Sequence, residues 1–528
     1  MAWGEAQYLQ WPYRGGPLEE LLRQSPQHVP LREPAPDEVI ARVEAVSICS
    51  SDLKIIRLGT HHPLFSSANG PVDTVLGHEV CLRVHQVGTA LRDRFRPGQR
   101  LALQPAMRLN GKRVIVGMDR PGGFAQFLRL GPDELNGYVF EAPETLPAAA
   151  IAMLEPYGCV ERAYRPTGRS TLCPQRPTLI VLGKDADSFG TAEPPIWPDL
   201  TVLEAGAVTP PAFLDGLQFK TISESDLARA RFDDIIALGE LDADTLALLP
   251  PCLADGGLLL QARRTLTPPV AIDPVRIHYD ALSFVGTTEA DFLDALRPEH
   301  QRFEVKPGGV ALVHGAGGAM GRIHVHRLLQ LEDGPSMVIA TSRKGARLEA
   351  LKADFEPVAD RQKRTLIVCE GSALSEAVAA YAPHGIDDAV VVAPDVSAVS
   401  AAAAALAPDG LLAVFAGFPY GDKVPFDLSG VAVSGKRLTG STGCSVADMQ
   451  GVLSRAMSGK LNLTENIKGV AGIRSLPEAL AAVSDGSVAG KVVLYPQTPE
   501  LPFRGLTDGW IEEEEADLTG ADHQSQRI

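Results

Sequence analysis

An α/β architecture is predicted for this chain: a β-rich domain, a doubly wound parallel-sheet domain, and an inserted, degenerate second unit of the wound type. Three observations carry the prediction. Residues 36 to 170 alternate short apolar runs with turn signals, residues 301 to 461 alternate apolar strands with alanine-rich helical stretches, and three anchor positions recur at one fixed spacing.

The β-rich part shows alternations such as Val39-Ile40-Ala41-Arg42-Val43 and Val80-Cys81-Leu82-Arg83-Val84, punctuated by Pro97-Gly98 and Gly122-Gly123. In the wound part, Val310-Ala311-Leu312-Val313-His314 runs into Gly315-Ala316-Gly317-Gly318-Ala319-Met320-Gly321, followed by a helical stretch from Ile323 to Leu329 and a second apolar strand, Met337 to Thr341. Strand, glycine turn, helix and strand together form a dinucleotide cradle: the glycines let the backbone approach a pyrophosphate, and the helix N-terminus favours its charge. Gly315, Gly317, Gly318, Met320 and Gly321 are the candidate cofactor residues. A site for NAD usually ends its second strand in Asp or Glu, which accepts from the ribose hydroxyls. Here Ser342 stands at that place and Arg343 and Lys344 follow, a pair of cations suited to a 2′-phosphate, so NADP is expected over NAD.

The recurring anchors are Asp234 and Asp388, Asp255 and Asp409, and Gly286 and Gly440, each 154 positions apart (388 − 234, 409 − 255, 440 − 286). They predict two copies of a nucleotide-binding-like half. In the first copy, Leu179-Ile180-Val181-Leu182 leads into Gly183-Lys184-Asp185-Ala186-Asp187, which has lost the glycine cradle and sets two carboxylates where a phosphate would lie. It reads as a cofactor-free structural or dimerisation layer.

At 528 residues the chain exceeds what one core supports and should form two or three domains. With 45% hydrophobic and 22% charged residues it has ordinary globular composition. A net charge of −16 without a basic stripe argues against nucleic acid as a partner. Seven cysteines without paired spacing point to a reducing compartment. Met1-Ala2-Trp3-Gly4-Glu5 has no basic n-region, and no run of about 18 apolar residues offers a membrane span. A cytoplasmic protein without membrane contact is expected.

Chemistry is concentrated in the first third of the chain. Cys49 in Cys49-Ser50-Ser51-Asp52, then Gly77-His78-Glu79, then Glu155-Pro156 supply a thiolate, an imidazole and one or two carboxylates. That mix suits a zinc site with a position left open, whereas structural zinc is closed by cysteine-rich sets with tight pair spacings that this chain lacks. Cys49 alone would read as an inert buried thiol. A Lewis acid at such a site could act on an alcohol or carbonyl oxygen.

These motifs resemble the zinc-dependent medium-chain dehydrogenase/reductase superfamily, the relatives of alcohol and sorbitol dehydrogenases. Gly122-Gly123-Phe124-Ala125-Gln126-Phe127 is similar to a strand of that superfamily, and Glu155-Pro156 matches its sorbitol dehydrogenase-like branch. Leu58-Gly59-Thr60-His61-His62, Leu103-Gln104-Pro105-Ala106, Phe415-Ala416-Gly417 and Gly440-Ser441-Thr442-Gly443 resemble the L-sorbose-1-phosphate reductase-like members. The chain departs from the pattern at Leu82, where glycine is usual, in the lack of a four-cysteine lobe between Arg108 and Pro121, and in the insert at 178 to 300.

The resemblance implies a GroES-like catalytic domain formed by residues 1–172 and 462–499, the latter ending in Gly490-Lys491-Val492-Val493-Leu494-Tyr495. A degenerate Rossmann-like repeat would cover 173–300, a Rossmann cofactor domain 301–461, and an acidic, mobile tail 500–528. It further implies one zinc per chain, held by Cys49, His78 and a carboxylate from Glu79, Glu155 or both in exchange. Ser51 would pass on the substrate proton, Asp52 would orient a ligand histidine, and Lys54 stands where many relatives have a relay histidine. His61 and His62 fall in a substrate loop. The expected activity is hydride transfer between a nicotinamide cofactor and a secondary alcohol or ketone, a polyol or sugar (phosphate) derivative, in a homodimer or homotetramer. A zinc-free quinone-type reductase and a nucleotide-sensing scaffold are the alternatives.

Overall fold

The computed structural model describes residues 6–65, 73–206, 209–418, 421–507, 509–510 and 512–519. The chain divides into two compact units, residues 1–161 with 443–528, and residues 162–442. These limits differ from the expected boundaries at 172 and 462. The reason is local: Gln104 Nε2 donates to the Cys444 carbonyl at 2.8 Å and Arg455 pairs with Glu161, which ties the helix Val446–Met457 to the β-rich unit. Among the described residues no helix is long and apolar enough to cross a membrane.

The first unit is built on an eight-stranded sheet. Its central strand, Val39–Ser47, pairs antiparallel with Glu79–Val87, Phe127–Leu130 and Lys491–Tyr495. Inward positions Val39, Val43, Val46, Val80, Leu82, Leu128, Val492 and Leu494 join one apolar cluster, so the alternation read in the sequence is the buried face of this sheet. Leu82 fills that core where a glycine would leave a void. Lys491–Tyr495 brings the C-terminal part of the chain into register with the strand that precedes Cys49.

Residues after 500, expected to form a mobile tail, are partly fastened. Arg504–Gly505 pairs antiparallel with the strand Ile467–Gly472. The Glu515 carboxylate accepts from the Ala148 and Ala149 amides at 2.8 and 2.9 Å and from the Tyr495 hydroxyl at 3.0 Å. The helix Ala148–Ala152 begins after Pro147 and has no side-chain cap of its own, so its first amides need an outside acceptor, and a carboxylate suits that end of the helix dipole.

The second unit contains two parallel six-stranded sheets. One runs in the order Lys220–Thr221, Leu200–Glu204, Thr178–Leu182, Phe232–Leu238, Leu253–Ala262, Ser283–Thr287. The other runs Thr365–Glu370, Met337–Ser342, Val310–His314, Ile386–Val391, Leu406–Val414, Arg437–Gly440. In chain order both read 3-2-1-4-5-6, the doubly wound arrangement. The repeat is therefore structural, and its details agree: the pairing register breaks between Phe232 and Asp234 in one sheet and between Ile386 and Asp388 in the other.

One anchor moves by a residue. Left-handed backbone falls on Gly256 (φ 70°) and on Asp409 (φ 59°), and a Cβ on Gly257 or Gly410 would lie 2.7 Å from the Ala254 or Ala407 carbonyl oxygen. Asp409 thus corresponds to Gly256, not Asp255, because the second copy is one residue shorter before this turn, with 20 positions from Ile386 to Leu406 against 21 from Phe232 to Leu253 (406 − 386, 253 − 232). Asp255-Gly256 and Asp409-Gly410 read alike, yet they occupy different positions of the turn.

The copies part after their first strand. In the later one Val310–His314 is followed by the twelve-residue helix Ala319–Gln330. In the earlier one Lys184 exchanges backbone hydrogen bonds with Glu240, and only the short turn Ala186–Ser188 follows.

The later helix carries a buried titratable group. His324 is fully buried, with Nδ1 2.8 Å from the Tyr164 hydroxyl, its ring 4.6 Å from that of Phe415, and Nε2 without a partner. Burial, with the nearby charge of Arg327, pushes its pKa from 6.5 to about 3. The native state thus refuses a proton that the unfolded chain accepts below pH 6.5, so this contribution to stability is complete above that pH and is lost as pH falls towards 3. Each pH unit in that window should cost up to about 1.4 kcal/mol. Denaturant melts of wild type and His324→Gln between pH 7 and pH 4 check this: the variant should show the shallower loss.

Candidate metal and dinucleotide sites

The helix Ser50–Leu58 starts directly after the central strand, with Cys49 at its N-cap. Asp52, fully buried on the first turn, accepts from the Cys49 amide at 2.9 Å and from the Gly77 amide at 3.2 Å. One carboxylate therefore clamps the Cys49 turn to the Gly77-His78 turn. Gly77 has φ 88°, and a Cβ there would lie 2.6 Å from the Phe124 ring, so only glycine fits before His78. Burial raises the Asp52 pKa, and the opposing charge of His78 limits the rise.

Ligand atoms of Cys49, His78 and Glu79 lie within 4.8 Å of one another. His78 is buried, and its Nδ1, 3.9 Å from Asp52 Oδ1, has no hydrogen-bond partner. Burial pushes its pKa down, yet Cys49, Asp52 and Glu155 outweigh burial and hold the imidazole well above its usual range. Glu79 is matched by Lys491, whose Nζ donates to both carboxylate oxygens at 2.5 and 2.6 Å and to the Ile48 carbonyl at 3.1 Å. Lys491 escaped the sequence reading as a site residue; a lone lysine in the apolar strand Lys491–Tyr495 was the available signal.

Glu155 belongs to an adjoining cluster. Its carboxylate lies within 4.8 Å of the Cys159 and Cys444 thiols and accepts from Cys159 Sγ at 3.2 Å. Burial raises the Glu155 pKa, while His78 pulls it back, so its charge is felt at the first cluster. Hydrogen bonding with Cys444 and then burial keep the Cys159 thiol protonated. Neither cysteine was singled out from the sequence, although the i, i+4 spacing of Glu155 and Cys159 on the helix Leu154–Arg162 places them on one face.

Ser51 Oγ is buried and has no hydrogen-bond partner. Lys54 is exposed one turn further along the same helix face, and its charge is a lesser cause, after burial, of the lowered pKa of His62. The sulfur of Cys49, the imidazole of His78 and the buried carboxylate of Glu79, within 4.8 Å of one another, form a donor set that fits a borderline-soft cation such as zinc.

In the other unit, Gly315 has φ 99°, and a Cβ on Gly321 would meet the Gly315 carbonyl oxygen at 2.4 Å. A Cβ on Gly317 would lie 2.0 Å from Ser342 Oγ and 3.3 Å from Arg347 Cβ, while Gly318, at the N-cap of Ala319–Gln330, faces open space. Met320 is half-buried on the first turn. Ser342 is buried at the end of its strand; Arg343 and Lys344 are exposed, with Lys344 3.9 Å from Glu370. The bare glycines and the helix amides leave a backbone surface that fits a pyrophosphate. Arg347, on the first turn of Ala346–Arg361, is a neighbour of this cradle that the sequence reading missed.

Residues 35–139 match the alcohol dehydrogenase GroES-like domain family. L-threonine 3-dehydrogenase of Anaeromyxobacter dehalogenans is 31% identical over 143 residues, 25% of this chain and 39% of that protein. Human sorbitol dehydrogenase is 26% identical over 182 residues, 32% of this chain and 50% of that enzyme. The chain thus spans half or less of the length of these relatives. A structure described as a zinc-binding dehydrogenase from Sinorhizobium meliloti 1021 bound to NADP superposes with a TM-score of 0.52 at 17% identity, covering 93% of this chain and 100% of that one, a likeness of fold.

The Glu79–Lys491 pair gives a direct test of this geometry. Lys491→Met would leave a fully buried carboxylate without its counter-charge and should destabilise the protein by about 3–5 kcal/mol, whereas Lys491→Met combined with Glu79→Gln should recover most of that loss. Guanidinium melts of the two variants and wild type provide the comparison.

Proposed function

We infer that this chain, a member of the zinc-dependent medium-chain dehydrogenase/reductase superfamily in its sorbitol dehydrogenase-like branch, moves a hydride between a nicotinamide dinucleotide and a secondary alcohol or ketone of the polyol or sugar class. The observation that carries the reading is the gathering of Cys49, His78 and Glu79 within the stretch that matches the alcohol dehydrogenase GroES-like domain, with Glu155 in electrostatic reach of His78. A zinc-free reductase would have no use for a buried thiol, imidazole and acid so arranged. Seven free thiols suit the reducing cytoplasm.

Cys49, His78 and Glu155 would hold zinc. Glu155 is preferred over Glu79 because both Glu79 oxygens already face the Lys491 ammonium, whereas Glu155 has only a thiol to give up. Bound there, zinc supplies Lewis acidity to a substrate oxygen. Asp52 keeps the Cys49 and His78 turns in place and biases the imidazole tautomer. Ser51, whose hydroxyl has no other partner, takes the alcohol proton as it releases its own towards solvent, while Lys54, exposed on the same helix face, is available to an anionic group of the substrate. Gly315, Gly317, Gly318, Met320 and Gly321 seat the pyrophosphate, and Ser342, Arg343 and Lys344 receive the adenosine ribose. The earlier repeat, with a three-residue turn in place of a helix, takes no cofactor.

Elemental analysis should find one zinc per chain. Glu155→Gln should lose most of that metal and Glu79→Gln should keep it, while Cys49→Ala should lose metal and lower kcat on the order of 100-fold or more with the fold retained. Two zinc ions per chain, or zinc retained by Glu155→Gln, counts against this ligand set.

Calorimetry should give one dinucleotide site per chain. NADPH should be preferred to NADH in kcat/KM, and Arg343→Ala should cut the NADPH value roughly tenfold, the worth of one charge-assisted contact, while sparing NADH. A wild-type preference for NADH, or an unchanged ratio in the variant, defeats the assignment.

A further inference from the structure

The two repeats of the unit 162–442 match down to individual clamps. Arg169 donates to the Gly256 carbonyl at 2.8 Å and pairs with Asp234 at 2.8 Å; Arg302 donates to the Asp409 carbonyl at 2.9 Å and pairs with Asp388. Each arginine also reaches the carbonyl of the preceding aspartate, Asp233 or Asp387. Two units this similar can meet face to face about a two-fold axis, as two copies of one protein do.

They do meet in that way. Val270–Ile272 pairs antiparallel with Val424–Phe426, in the register Val270 to Phe426, Ala271 to Pro425, Ile272 to Val424. These strands are counterparts at the 154 spacing (424 − 270, 426 − 272). Val270 therefore faces the counterpart of Ile272, Ile272 faces the counterpart of Val270, and Ala271 faces its own counterpart. The same reciprocity holds at the glycine anchors. A Cβ on Gly286 would lie 2.6 Å from Ala432 Cα, and a Cβ on Gly440 would lie 2.9 Å from His278 Cα, where Ala432 and His278 are again 154 apart (432 − 278). Contact of i with j accompanied by contact of j with i is the mark of an isologous interface. Val270, Ile272, Val275 and Ile277 from one repeat, and Val424, Phe426, Leu428 and Val431 from the other, join a single apolar cluster.

We propose that the first repeat is a built-in stand-in for a second copy of the chain: it occupies, in cis, the two-fold surface of the cofactor repeat and closes that surface to any other chain. The repeat kept its docking face and lost its cradle because only the docking face is used. A homodimer or homotetramer would have to be built on a different face. This inference is independent of the metal site and of the substrate.

Ala271 and Pro425 are exposed and directly opposed. Pro425 has no N–H, so they form a non-hydrogen-bonded pair of the ladder, whose Cα atoms approach to about 4.5 Å, within disulfide range. In the full chain carrying A271C and P425C, mild oxidation and peptide mapping under non-reducing conditions should find a disulfide linking these two positions within single chains. The same disulfide joining two chains, or both thiols left unreacted, overturns the proposal. Wild type supplies a second measurement free of substitution. Hydrogen exchange at the amides of Val424 and Phe426 should be unchanged over about a hundredfold dilution, since pairing in cis does not depend on concentration. Protection that falls on dilution would mean that a second chain supplies the pairing strand, and would overturn it equally.

Discussion

One buried ammonium holds the candidate metal site together. Lys491 is 1% exposed and contacts two backbone neighbourhoods at once: the Ile48 carbonyl, one residue before Cys49, and the Glu79 carboxylate, one residue after His78. Around it stand the Glu79 and Glu155 carboxyl groups and the Cys49 sulfur, and the two carboxylates would repel one another in a water-poor interior. A cation so placed is costly to bury alone, and a crowd of acids is costly to bury alone; each makes the other tolerable. The position of the strand Lys491–Tyr495, and through it the return of the chain to the β-rich unit, follows from this match.

The acids around that cation have separate tasks because they have separate partners. Asp52 spends its two oxygens on backbone amides and so acts as a clamp. Glu79 spends both of its oxygens on Lys491. Glu155 has one contact with a thiol and lies within electrostatic reach of His78, which leaves it the carboxylate most easily redirected. Residue type alone does not distinguish the three; hydrogen-bond occupancy does.

The second unit carries one strand order twice. Both sheets have the same strand order and the same Arg–Asp clamp, yet only one has a long helix after its first strand. A phosphate site needs that helix end and the glycines before it, whereas a docking face needs neither. The short turn after the first strand of the earlier repeat therefore leaves its paired strand and apolar face intact.

What was legible in the sequence was what is encoded locally. Alternation along Val39 to Val43, the glycines from Gly315 to Gly321 and the Cys49, His78 and Glu155 motifs have meaning within a few residues, because strand period, left-handed backbone and ligand chemistry are short-range properties. The repeat was legible as well, but its turn was aligned one residue off, since Asp255-Gly256 and Asp409-Gly410 read alike while their backbone angles do not. Tertiary structure alone decided the rest. Lys491 acquires its role from Glu79, 412 residues away, and Cys444 is placed by Gln104 at a separation of 340. Lys54, equal on paper to its neighbours, lies exposed while Ser51 Oγ is buried without a partner. Burial and charge matching depend on which distant segments share a low-dielectric interior, and no local pattern of residues specifies that.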